Sequence, residues 1–251
     1  MKKLSAALIT IILLAATVAA QGSEVNKVIE KLDRLYRSSS SRGRMKMAIV
    51  NPHWERTLVM DFWSAGMEKM LIVVQEPEKE KGTATLKIKN EMWNYMPNIN
   101  KVIKIPPSMM MANWMGSDFT NDDIVRESSF LTDYSYSEIQ PPDAEQGLMY
   151  LELMPKEGVV TIWKKLVMIV DRETYLPVEQ RYVDEKDRVM KKALYSKVKV
   201  MDGKEIPTQM TMIPLSEEKK GHRTAVEYFE IDFDVDLSED IFTLRNLRKR
   251  R

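Results

Sequence analysis

The sequence of 251 residues has no cysteine, two histidines and nine glycines. The first absence excludes disulfide scaffolds, thiol nucleophiles and thiolate metal sites. Both histidines sit in loop-forming sequence, His53 after Pro52 and His222 after Gly221, so little imidazole chemistry is open to the chain. Glycine is too sparse for phosphate-cradling loops, and none of G-x-x-x-x-G-K-S/T, G-x-G-x-x-G, G-x-S-x-G or H-E-x-x-H occurs. An excess of one charge is also missing. Lys+Arg 38 against Asp+Glu 37 gives a formal net charge of +1, so no basic field exists to hold a nucleic acid. These absences predict a protein that is not an enzyme, uses no cofactor or metal, and binds no nucleic acid. An apolar run long enough for a bilayer span, about 20 residues, is lacking as well.

The apolar run that does occur stands at the start. Lys2 and Lys3 precede Leu4 to Ala16, and Thr17-Val18-Ala19-Ala20 supplies the small residues of a cleavage site before Gln21. The expected organisation is a signal peptide over 1–20 and one domain over 21–251. No cysteine follows the signal, so no lipid anchor is expected on the mature chain.

Periodicity then sets the fold class. Val25, Val28, Ile29, Leu32, Leu35 and Tyr36 carry helical spacing, with Ser23 as the expected cap. From Met45 onward the period is two, and it returns at the end, where Phe229, Ile231, Phe233, Val235 and Leu237 alternate with polar residues. About eleven strands are predicted, over twelve stretches near 44–50, 56–64, 68–75, 83–89, 91–96, 100–105, 147–154, 158–170, 176–184, 188–200, 205–213 and 223–236. Asp202-Gly203, Lys220-Gly221 and similar pairs mark the turns. Between Pro106 and Pro142 the pattern breaks, and short helices are expected near 109–114 and 120–126. The class is mainly β with α: an unclosed antiparallel β-barrel with an N-terminal helix and a helical lid. Asp232, Asp234 and Asp236 begin like a calcium loop, but Leu237 stands where that loop needs glycine.

Methionine is abundant: 19 residues, among them Met45, Met47, Met60, Met70, Met92, Met109, Met110, Met111, Met210 and Met212. Polarizable, unbranched thioethers adapt to apolar guests of varied shape, and they also fill ordinary cores. The pattern alone leaves both readings open.

Within the chain, Lys87 to Pro97 with its Trp93-x-Tyr95-x-Pro97 core, the strand that follows to Ile105, and the stretch through Asp118-Phe119 resemble the outer-membrane lipoprotein-sorting protein family, the LolA-like carriers. The signal peptide, the leading helix and the closing Glu239-Asp240-Ile241-Phe242 fit the resemblance. It implies an open barrel whose hydrophobic cavity holds the acyl chains of a lipoprotein or lipid in the periplasm, between an inner-membrane transporter and an outer-membrane acceptor. A sensor of lipid or of mislocalised lipoprotein is the alternative on the same fold. The arginine that helps close the lid in such carriers has no evident counterpart here.

The expected ligand site comprises Met45, Met47, Met60, Phe62, Ile72, Trp93, Tyr95, Met109, Met110, Met111 and Trp114. Trp93 and Tyr95 share strand parity, so both rings are expected on one face as a rigid wall. Met109 to Met111 with Trp114 are expected at the lid edge. Arg245, Arg248, Lys249, Arg250 and Arg251 form a basic end suited to anionic headgroups, or a plain solvated terminus.

Overall fold

The computed structural model describes residues 22–126 and 129–248. The expected signal peptide and the last three basic residues lie outside the described residues. Helix α1 covers 22–34, so Ser23 is already helical rather than a cap. Its face of Val25, Val28, Ile29 and Leu32 is buried, as the spacing predicts.

Thirteen strands follow: β1 (Ser40–Val50), β2 (Glu55–Ala65), β3 (Lys69–Glu76), β4 (Ala84–Ile88), β5 (Glu91–Met96), β6 (Lys101–Lys104), β7 (Tyr134–Ile139), β8 (Leu148–Pro155), β9 (Lys165–Asp171), β10 (Pro177–Val183), β11 (Val189–Met201), β12 (Lys204–Pro214) and β13 (Arg223–Phe233). They form one sheet in the order β6-β5-β4-β3-β2-β1-β13-β12-β11-β10-β9-β8-β7, each neighbour antiparallel. The chain winds outward from β1 to β6, crosses to the opposite edge at β7, and winds back until β13 pairs with β1. β6 and β7 are therefore the free edges of an open, curved sheet, joined by residues 105–133.

Thirteen strands form among the described residues, one more than the twelve stretches expected. Tyr134–Ile139 was hidden in the interrupted region, where prolines and helix signals outweighed its alternation. Residues 158–164, expected to begin a strand, form a loop; Gly158 sits at φ +86, a left-handed conformation that breaks extended pairing. β13 stops at Phe233 rather than 236. There Asp234 takes φ +53 and accepts hydrogen bonds from the Ser39 amide (3.0 Å) and hydroxyl (2.8 Å), while Asp232 pairs with Arg42 at 2.9 Å. The two aspartates are thus committed to different partners and do not converge on an ion.

The concave face is covered, and so is the convex face of β3, β4 and β5. On the concave face lie a core around Met47, Leu58, Met60, Met92 and Met212, and a second core where α1 packs against β7, β8 and β9. Behind β3, β4 and β5, the segment from Leu237 to Leu247 folds onto the convex face, burying Phe242 and Leu247 against Leu71, Val73, Ala84 and Leu86. It ends in helix α4 (Leu244–Leu247), which holds Arg245; Arg248 follows as its cap. β3 consequently buries Leu71, Ile72, Val73 and Val74 in succession instead of alternating.

Candidate functional site

The concave face holds a cavity of about 670 Å³, open to solvent, between the two cores. Met45, Phe62, Met70 and Ile72 come from β1, β2 and β3; Met210, Met212 and Tyr228 from β12 and β13; Tyr182 from β10. Phe119, Ile124 and Phe130 reach it from the crossing segment, which carries helices α2 (Asn121–Val125) and α3 (Phe130–Asp133). The loop at 160–163 supplies Val160, Ile162 and Trp163. Aromatic pairs stiffen two sides. The ring of Tyr228 lies 5.7 Å from Phe62 at 66° and 6.0 Å from Tyr36, and Trp163 meets Tyr182 edge-on at 5.4 Å. Burial pushes the phenols of Tyr36 and Tyr182 in the wall, and of Tyr195 in the core beside it, well above the usual tyrosine range.

The crossing segment seals one end. Trp114, 2% exposed, donates its indole N–H to Thr85 Oγ1 at 3.1 Å, and Arg56 binds the Met115 carbonyl. Asp118 and Thr224 exchange hydrogen bonds of 2.9 and 2.8 Å in the buried interior. α2 is fixed by a capping box between Thr120 and Asp123, as expected for a polar first turn. The same Asp123 carboxylate accepts Lys191 Nζ at 2.7 Å. Lys191 is itself buried, with Tyr182 at 4.6 Å and Trp163 at 5.3 Å from its ammonium, so one cation joins α2, the 160–163 loop and β11 at the cavity wall. Nothing in the pattern of β11 marks a buried charge, so this lysine's role is not legible from periodicity.

Of the expected site residues, Met45, Phe62 and Ile72 line the cavity. Met47 and Met60 are fully buried in the core beside it, and Trp114 belongs to the seal. Met110 packs against the same core, whereas Met109 and Met111 are 48% and 47% exposed and do not line this cavity. Trp93 and Tyr95 need correction. They do share a face, but it is the convex one, where they pack with Leu86, Phe242 and Leu247; Met92 and Asn94 point the other way. Alternation fixes parity without saying which face is concave, and here both are buried. The aromatic residues that do line the cavity are Tyr36, Phe119, Phe130, Tyr134, Trp163, Tyr182 and Tyr228 besides Phe62, most of them in segments with no strong strand pattern.

Among the described residues no helix is long and apolar enough to cross a membrane, and no group of three His, Cys, Asp or Glu side chains is placed to hold a metal.

Comparison with known structures defines the class. A DUF1329 family protein from Desulfovibrio piger is 26% identical, with a TM-score of 0.74 over 88% of this chain and 96% of that one. An outer membrane lipoprotein-sorting protein domain from Vibrio parahaemolyticus is 20% identical at TM-score 0.72, covering 88% and 97%. A LolA superfamily protein from Nitrosomonas europaea is 22% identical at TM-score 0.70, covering 88% and 98%. The molecule thus has the LolA-superfamily fold that the Trp93-x-Tyr95-x-Pro97 region resembles. Within that class, the chain belongs to the family whose model, described as "Uncharacterized protein", matches residues 66–249. No curated protein matches it.

Proposed function

We propose that this protein is a periplasmic carrier that holds the acyl chains of a lipoprotein or lipid in the concave cavity and moves them between an inner-membrane transporter and an outer-membrane acceptor. Residues 1–20 send the chain out of the cytoplasm, and residues 21–251 act as the carrier domain. The observation that supports this reading is the cavity itself: about 670 Å³, lined by methionine and aromatic side chains together with serine, aspartate, lysine and arginine, inside a LolA-superfamily fold. That volume falls in the roughly 300–1,000 Å³ range of small-ligand sites. Each methylene taken from water contributes about 0.8 kcal/mol, so roughly ten of them yield about 8 kcal/mol, near micromolar binding. Thioethers suit a cargo of variable shape, and the uncharged phenols add stiff amphipathic walls.

The test is binding. Mature protein should take up a fluorescent apolar probe at one site and release it to added lipid, and lipid should co-purify with it. Met70→Asp, at a half-buried wall position, should weaken probe uptake at least about tenfold while circular dichroism stays that of the parent. A folded protein that takes up no probe and carries no lipid would sink the proposal.

A further inference from the structure

Val160 and Ile162 have two environments at once. They are 65% and 49% exposed, and both belong to the cavity wall. A single apolar side chain on a surface calls for no explanation, but an exposed pair that continues into the lining of a cavity marks where that cavity opens. The rest of the loop holds the pair outward. Trp163 is wedged edge-on against Tyr182 and faces the Lys191 ammonium, while the Lys164 amide donates to the Val183 carbonyl at 2.9 Å. The Val159 amide donates to the Lys156 carbonyl and the Trp163 amide to the Thr161 hydroxyl, each at 3.1 Å. The base is thus fixed while the tip meets water. Resting on the carrier reading, we infer that residues 156–164 are a membrane-docking loop: Val160 and Ile162 enter the surface of a lipid bilayer, and cargo passes between bilayer and cavity along them without crossing water.

Three observations favour a bilayer over a protein partner. First, the exposed apolar tip is small. A protein interface takes roughly 20–30 residues a side, whereas a membrane accepts a few apolar side chains at the boundary between headgroups and acyl chains. Second, Gly158-Val159-Val160-Thr161-Ile162-Trp163 carries no charge, so the tip enters without an ion to desolvate, and Trp163 at its base is the residue type that settles at membrane interfaces. Third, the charges around the loop are balanced. Lys164 pairs with Asp187 at 2.6 Å, Lys165 with Glu152 at 2.5 Å and, in the adjoining turn, Arg188 with Asp184 at 2.7 Å. Lys156 and Glu157 oppose each other in sign. An apolar tip within a neutral collar is drawn to a bilayer by burial alone, so attraction needs neither anionic lipid nor low salt. Entry is shallow, because an irregular backbone would lose water from its N–H and C=O groups in the hydrocarbon core.

The experiment uses the absence of cysteine, which lets one introduced thiol be labelled alone. Val160→Cys, and Val198→Cys at an exposed position of β11, each carry an environment-sensitive dye and are mixed with phosphatidylcholine vesicles containing nitroxide lipid. The label at 160 should be quenched, more by a nitroxide near the headgroup than by one near the chain end, and the label at 198 should not. Quenching should be the same at about 0.01 M and about 1 M salt, which shortens the Debye length from roughly 30 to 3 Å. Adding Ile162→Asp should weaken vesicle binding by roughly tenfold or more. Transfer of the fluorescent apolar probe from the parent protein to vesicles should speed up in proportion to vesicle concentration, as transfer by contact requires. A label at 160 that vesicles leave unchanged, equal quenching at 160 and 198, or a transfer rate independent of vesicle concentration overturns the inference. Quenching that appears only when a membrane protein is present in the vesicles overturns it too, and gives the loop a protein partner. In each of these cases a parent protein that takes up the probe leaves the carrier reading standing, whereas a parent that takes up none overturns that reading and the exchange with it.

Discussion

Gly43 shows how much one position can demand. A Cβ there would stand 2.3 Å from the Glu230 carbonyl oxygen and 2.8 Å from the Phe62 ring, next to the register shift at Arg44/Met45 where β13 crowds β1. Gly43→Ala should therefore destabilise by roughly 1–3 kcal/mol, read as a lowered urea midpoint, and should shift Phe62 at the cavity wall. The methionines divide just as sharply. Met109 and Met111 are open to solvent while Met47, Met60 and Met92 are fully buried. Mild peroxide should convert the first pair to sulfoxide well before the second set, as peptide mass spectrometry would show; early oxidation of Met60 would mean that the core opens. The phenols give a pH dependence. Tyr36, Tyr182 and Tyr195 have raised values in the folded state, whereas an unfolded chain ionises near the ordinary 10.0. Below that pH both states keep the proton and stability is unaffected. Above it the unfolded chain loses protons first, so stability falls as pH rises past about 10. Phenolate absorbance from these rings should appear together with unfolding and not ahead of it.

At the level of elements, α2 depends on one carboxylate with two tasks, capping its own first turn and pairing with buried Lys191. Asp123→Ala removes both and leaves a buried ammonium without its anion, a loss of about 3 kcal/mol or more. Amide exchange in 121–126 should speed up, and so should exchange in 158–164, because Lys191 also faces Trp163. Lysine 191 replaced by methionine, written Lys191→Met, should be milder, since Tyr182 and Trp163 can pack on its stem. Much of this level was legible in the sequence. The period of two located twelve of the strands closely enough to show a meander, and Thr120 with Asp123 marked the start of α2. What was not legible has physical causes. Tyr134 to Ile139 alternates, yet it is short and surrounded by breakers, and Val159 to Trp163 has strand composition while Gly158 and the cavity hold it as a loop. The site was half legible: Met45 and Phe62 lie on strands that alternate clearly and Ile72 in the unbroken apolar run of β3, whereas Ile124, Phe130 and Trp163 come from irregular chain that offers no periodic signal.

For the molecule as a whole, the C-terminal segment is part of the fold and not an appendage. Phe242 and Leu247 close the convex face over Leu71, Leu86 and Tyr95, so deleting residues 237–251 should uncover an apolar sheet surface. The shortened protein should bind an apolar dye on that surface, self-associate and unfold earlier in urea. If it remains monomeric with an unchanged midpoint, the segment is dispensable.

The strand order carries one more consequence. The two free edges of the sheet are consecutive in the chain, and residues 105–133 act as a strap of fixed length between them. The strap is fastened to one half through Trp114 and Thr85, and to the other through Asp123 and Lys191 and through Asp33, which binds the Ser129 hydroxyl at 3.0 Å and the Phe130 amide at 2.7 Å. At roughly 3.3 Å per residue, the stretch from Trp114 to Asp123 reaches at most about 30 Å when drawn taut. For as long as that hydrogen bond and that ion pair hold, the chain between them limits the girth of the sheet at this point. A guest wider than the strap permits has to break one of these two fastenings to enter, so Asp123→Ala should admit cargo of larger cross-section than the parent protein does.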